Sequence, residues 1–216
     1  MRKKENAMDL LSRKSDRKTD GFVVLALSAV VCLLAAGAAG KEPAQVVEDS
    51  TAQVVDILKR PDYQKDRRKN REDIRQVLLG IADMPTVSAL ALAQHRKKFS
   101  DAQFTQFTDA FSRLLFTTYI ARMEEYTNQK IVTVSTEDEG KGRKLVKTKV
   151  ISDKEIPIHY RMLPAGDSWR VYDVVIEGVS LVQNYRQQFH EILVNNPPEH
   201  LIERIEKKAR EHETTQ

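Results

Sequence analysis

The sequence predicts an α+β domain in which helices wrap a four-stranded antiparallel meander. Three observations carry that prediction. After Asn128 the spacing of apolar residues drops from near four to two, and the residue types become Val, Ile, Thr and Tyr, which suit a pleated surface. The segments so marked are joined by connections too short for anything but consecutive antiparallel pairing. Amphipathic helical patterns precede and follow them, so an apolar sheet face has elements available to cover it.

The chain of 216 residues begins with a basic stretch, followed by Gly21–Ala39, which is uncharged and closes on small residues, as an export leader does. Cleavage is expected near Ala36-Gly37-Ala38, giving a signal peptide over 1–40 and a single domain over 41–216 that ends in a charged tail from about 207. An uncleaved anchor is the alternative, because the apolar run approaches the roughly twenty residues that cross a bilayer. Cys32 is the single cysteine and lies in the leader, so the exported part carries no thiol, disulfide or cysteine ligand. Residues 1–40 hold seven Lys or Arg and four Asp or Glu, which accounts for three of the four net positive charges. The remainder is nearly balanced and has no general attraction for a phosphate backbone, so nucleic acid is not expected as a partner. The basic run Lys65–Arg71 reads as a solvated helix face.

The elements follow in order. Val47, Val54 and Leu58 share one helical face, and Pro61 closes that segment. Ile74, Val77, Leu78 and Ile81 repeat at helical spacing up to Met84-Pro85, where the restriction on the residue before proline is expected to end the helix; a short element over Val87–Gln94 comes next. Ser100-Asp101-Ala102-Gln103 is a capping-box pattern, since the serine hydroxyl can accept a main-chain N–H while Gln103 reaches back. It opens the strongest helix, with Phe104, Phe107, Phe111, Leu114 and Leu115 on one stripe that continues to Ile120 and Tyr126.

The expected strands are Lys130–Thr136, Lys144–Ser152, Ile156–Leu163 and Ser168–Ile176, joined by Glu139-Gly140-Lys141-Gly142, Asp153-Lys154 and Pro164-Ala165-Gly166-Asp167. Strict alternation sorts their apolar residues into face-sharing sets: Val132 with Val134, Val146 with Val150, Ile158 with Tyr160, and Tyr172 with Val174 and Ile176. A helix marked by Val179, Val182, Tyr185, Phe189 and Ile192 or Leu193 follows, stopped by Asn195-Asn196-Pro197-Pro198. Leu201, Ile202 and Ile205 begin the last.

No catalytic or metal-binding motif is present. His190-Glu191 lacks a second histidine four residues on, Gly178–Val182 lacks the final glycine of a nucleophile elbow, and no glycine-rich loop opens a helix. His95, His159, His200 and His212 fall in no ligand spacing and read as surface or capping residues. Asp173, inside a strand, reads as a hydrogen-bonded position with Arg161 or Arg170 for a partner. An enzyme would have to build on Asp173 with Tyr172, Tyr160 or Arg161, so no enzyme activity and no cofactor are expected.

The block Trp169-Arg170-Val171-Tyr172-Asp173-Val174-Val175-Ile176-Glu177-Gly178-Val179-Ser180-Leu181, continued by Asn184-Tyr185-Arg186-Gln187-Gln188-Phe189, resembles the closing segment of the MlaC family of periplasmic phospholipid carriers, also known as toluene-tolerance proteins. Phe104–Tyr126 is similar to that family's central helix. Val146-Lys147-Thr148 and Ile156–Arg161 are similar to its middle strands, and the likeness spans roughly 42–206. Lys147 stands where the family usually has Arg, and Ala91-Leu92-Ala93-Gln94-His95 stands where it has a Gly and a Trp.

The resemblance implies a meander and helices packed around an apolar cavity, comparable in shape to nuclear-transport-factor-like domains. It further implies that Phe111, Leu115, Tyr119, Val134, Val150, Ile158, Tyr160, Val174, Ile176 and Val179 line that cavity, with phospholipid as cargo. The partners it implies are an inner-membrane ATP-driven lipid transport complex with an MCE-domain ring, and an outer-membrane lipoprotein with a porin. The function would be to carry phospholipid across the periplasm between outer and inner membranes, maintaining outer-membrane lipid asymmetry. The residue pattern by itself also permits a dry core, and with it a secreted, non-catalytic protein-interaction module.

Overall fold

The computed structural model describes residues 40–125, 128–152 and 154–215. The proposed leader with Cys32, the end of the helical stripe at Tyr126, and Asp153 of one strand connection lie outside these residues. Residues 41–216 make up one unit.

Among the described residues six helices and five strands occur in the order α1 Pro43–Leu58, α2 Arg67–Ile81, α3 Met84–Leu92, a 3-10 turn Ala93–Lys98, α4 Asp101–Glu124, β1 Lys130–Gly140, β2 Arg143–Ile151, β3 Glu155–Ala165, β4 Ser168–Ile176, β5 Val179–Ser180, α5 Leu181–Leu193 and α6 Pro198–Thr215. Among the described residues no helix is long and apolar enough to cross a membrane.

Most helix boundaries follow from local chemistry. Ser100 Oγ accepts from Gln103 N while the Gln103 side chain accepts from Ser100 N, so both halves of the capping box form at the start of α4. One boundary departs from expectation. Met84-Pro85 does not end α2; the helix stops at Ile81, and Pro85 stands in the first turn of α3, where a missing N–H costs nothing. Asp83 caps α3 by accepting from Thr86 N at 3.0 Å. α3 in turn ends at Ala93, which adopts φ 47° and ψ −123° and so turns the chain sharply into the 3-10 segment. The charged segment beyond Ile205 is not a loose tail but continues α6 as far as Thr215.

The sheet is an antiparallel meander in the order β1-β2-β3-β4-β5, the last being a two-residue strand too short to signal itself in sequence. β1 reaches Gly140, leaving Lys141-Gly142 as a two-residue turn in which both residues have positive φ, the geometry that matches the twist of a hairpin. β3 likewise runs through Pro164 to Ala165 before Gly166-Asp167 turn the chain.

Three apolar clusters hold the unit together. The largest joins α3, α4, α5 and α6 around Phe107, Phe111, Tyr185 and Phe189; the rings of α4 meet those of α5 edge-on, as with Phe111 and Tyr185 at 4.9 Å and 71°. A second lays Val46 and Val47 of α1 on Val146, Met162 and Val171 of the sheet, and a third unites Ile57, Tyr63, Ile74 and Ile120 where α1, α2 and α4 converge.

Candidate functional site

Strand register decides which side chains share the apolar face of the sheet. Ile131, Val150 and Ile156 lie side by side in one row; Thr148, Ile158 and Ile176 form the next; Val146, Tyr160 and Val174 form a third. α1 covers the third row and those beyond it, where Val146 and Met162 are wholly buried. The first two rows are different. Ile131, Val150, Ile156, Ile158 and Ile176 are all half-buried, and none belongs to any of the three clusters. These five residues form an aliphatic stretch of sheet that is partly shielded yet lies outside the three clusters. At its boundary stands Tyr160. This side chain retains part of its surface, yet burial of its hydroxyl pushes the pKa up to about 12, with hydrogen bonding to the Thr148 side chain working the other way.

The side chains expected to line a cavity divide into four groups. Val150, Ile158 and Ile176 lie on the first two rows, where only Thr148 is fully buried, and Tyr160 and Val174 lie beside them against the second cluster. Leu115 and Tyr119 follow one another at successive turns of α4 and are half-buried, with burial raising the pKa of the Tyr119 phenol. Phe111, one turn earlier, is 1% exposed and packed among rings of the helical core. Val134 and Val179 are exposed at 58% and 57% and leave the proposed lining.

Local irregularities explain the corrections. β1 shifts register between Thr133 and Ser135, so Val134 is an extra residue opposite none, and Val132 pairs with Lys149 on the opposite face from Val150. Val179 belongs to β5, not to the apolar stripe of α5. A second shift between Arg161 and Met162 inserts Tyr172 into β4 and takes it off the face of Val174.

A network of charged and polar groups gathers on the opposite face of the sheet. Arg161 bridges Glu139 at 3.0 Å and Asp173 at 3.4 Å, Tyr172 donates to Glu139, and the Arg143 guanidinium lies over the Tyr172 ring. Asp173 also accepts from Ser180 Oγ at 2.6 Å and Val182 N at 3.0 Å. Its carboxylate is committed to structure; of the two partners anticipated from sequence, Arg161 is the one that holds it, while Arg170 donates to Ala82 O.

Two polar groupings join residues far apart in the chain. Glu124, at the end of α4, receives Tyr63, Arg67 and Arg71, so two members of the basic run are held at a carboxylate, Arg71 mostly shielded and Arg67 still partly in water. Burial opposes its charge, but hydrogen bonds from Arg71, Arg67 and Tyr63 win and hold its pKa down to about 2. The i,i+4 spacing of Arg67 and Arg71 was the available hint. His95 is buried, against the surface role expected, and its Nε2 lies 2.9 Å from Nδ1 of His190. Among the described residues no group of three or more metal-ligating side chains occurs.

The family described as MlaC protein matches residues 48–207. The toluene tolerance protein ttg2D of Pseudomonas putida is 26% identical over 164 residues, which is 73% of this chain and 76% of that protein. The fold is also that of a phospholipid-binding protein from Ralstonia solanacearum solved in complex with a phospholipid. That protein is 20% identical, with a TM-score of 0.72 over 80% of this chain and 99% of the other.

Proposed function

Because the chain belongs to the MlaC family, we propose that it is a soluble periplasmic carrier, exported by its cleaved leader, that shuttles phospholipid between the outer and inner membranes and so maintains outer-membrane lipid asymmetry. The observation that carries this reading is the aliphatic stretch Ile131, Val150, Ile156, Ile158 and Ile176, half-buried and outside every packed cluster. Tyr160 supports it. A side chain that keeps accessible surface while its hydroxyl is desolvated belongs on an interior wall. The phospholipid bound by the Ralstonia protein of the same fold supplies the cargo class.

The energetics define the task. Two acyl chains with roughly thirty methylenes would cost on the order of 20 kcal/mol to expose to water, so a free lipid does not cross an aqueous compartment at a useful rate. A carrier needs only an apolar wall that competes with the bilayer; direction comes from the machinery at either end. In this reading those ends are an ATP-driven inner-membrane complex with an MCE-domain ring and an outer-membrane lipoprotein with a porin, and no chemical step is required.

The test is mass spectrometry of organic extracts from the protein purified from periplasm without detergent after expression of the full chain. Near-stoichiometric phospholipid is expected, lost in Ile158→Arg with the helical content unchanged. A folded, lipid-free wild-type protein would overturn the reading in favour of a closed-core interaction module. Lipid retained by Ile158→Arg would move the cargo away from the sheet.

A further inference from the structure

A cleft of about 400 Å³ opens between the end of α3 with its 3-10 turn and the exposed side of α5, away from the sheet face considered above. Its polar wall is formed by Gln94, His95, Gln183, Arg186, Gln187 and His190, with no Asp or Glu among the lining residues.

Arg186 sets this cleft apart. Of the half-buried arginines among the described residues, Arg67 and Arg71 hold Glu124, Arg75 holds Glu72, Arg96 holds Asp101, and Arg161 holds Glu139 and Asp173. Arg186 holds no carboxylate. Its Nε donates to the main-chain oxygen of Leu90 at 2.8 Å, which fixes the guanidinium plane. The two Nη groups make no hydrogen bond among the described residues, so the end of the guanidinium stands ready for a planar two-oxygen acceptor.

The histidine pair adds to this. Its nitrogens are 2.9 Å apart and the ring centroids 5.1 Å, so the two nitrogens point at one another and share a proton instead of converging on a metal ion. In a neutral pair one ring donates the bridging proton. The other then carries its own proton on its outer nitrogen, so the pair always offers one further imidazole N–H. The primary amides of Gln94, Gln183 and Gln187 supply neutral donors and acceptors around it.

We infer that this cleft is a carboxylate-binding site, in which Arg186 takes the two oxygens end-on and the His95–His190 pair and the glutamine amides hold the rest of the ligand. The carboxylate can belong to a free small acid or to an acidic side chain on a partner polypeptide. The amide-rich wall suits either.

The test is a titration of the protein, labelled for histidine and arginine side-chain NMR signals, at constant ionic strength. The probes are acetate and N-acetyl-glutamate amide, a blocked residue with peptide groups on both sides, with chloride as the control. Saturable shifts at His95, His190 and Arg186 are expected with both carboxylates and not with chloride. Half-saturation should rise roughly tenfold in Arg186→Gln, which keeps a donor but loses the charge and the fork. Clearly tighter binding of the blocked residue assigns the site to a polypeptide partner, and equal binding assigns it to a free acid. No saturable shift in a folded protein, equal shifts with chloride, or unchanged binding in Arg186→Gln overturns the inference. Arg186→Lys retains the charge without the fork, and recovery of the full affinity in that variant would refute the bidentate geometry.

Discussion

The carboxylate of Asp173, in the interior of β4, accepts a hydrogen bond from the main-chain N–H of Val182 in the first turn of α5. Ser180, which caps α5 by accepting from Gln183 N, donates its own hydroxyl to the same carboxylate. One strand side chain therefore satisfies a helix terminus and, through Arg161, anchors it to the neighbouring strand.

Removing that anchor should be expensive. Asp173→Ala leaves the buried Ser180 hydroxyl and the Val182 N–H unpaired and is expected to cost about 3 kcal/mol. That is close to 10 °C in melting temperature for a domain of this size. Asp173→Asn keeps one acceptor and should lose roughly half as much, as read by urea denaturation. A variant with native stability would show that the contacts carry no weight.

Glu124 should give the fold an acid-sensitive component. Its folded pKa of about 2 lies below the ordinary 4.5, so the stabilisation is fully present above about pH 4.5 and is lost as pH falls through about 2. Glu124→Gln strands two arginines. The expected cost is about 2 kcal/mol, below that of a fully buried pair because Arg67 faces water. The gap in stability between the two proteins should be constant near neutrality and close on acidification, which denaturation at a series of pH values would reveal.

His95 should act in a milder window. Burial, with Lys98, His190 and Lys97 nearby, lowers its pKa below the ordinary 6.5. The unfolded chain then binds the proton first. Stability is intact above about pH 6.5 and declines as pH falls through the folded value. His95→Gln should flatten the decline below about pH 6.5 in urea midpoints, and an identical slope in both proteins would assign the loss to other groups.

Two substitutions of opposite kind should both stabilise. Gly80 lies inside α2, where a methyl group would meet nothing within 4 Å, so Gly80→Ala should add about 0.5–1 kcal/mol by restricting the unfolded chain. Ala93 adopts φ 47°, a conformation that favours glycine, so Ala93→Gly should relieve about 1 kcal/mol of backbone strain. Thermal melts of the two single variants and of the pair should show additive gains.

Sequence alone determined the features that depend on neighbours a few residues apart. The Ser100–Gln103 capping box, the stop before Pro197-Pro198 and the span of β4 were all legible because the forces behind them act within one turn or one strand. The meander followed from connection lengths, and the family likeness from one contiguous block. Which residues face the apolar interior was decided only in the tertiary structure. An extra residue at Val134 and another at Tyr172 reverse the alternation on which a face assignment rests, and such a bulge is set by the partner strand. Phe111 lies on the stripe expected of it, but packing of α5 and α6 buried it in the helical core. The pairs Glu124–Arg71 and His95–His190 join residues 53 and 95 positions apart, brought together by chain closure, and no local pattern encodes them.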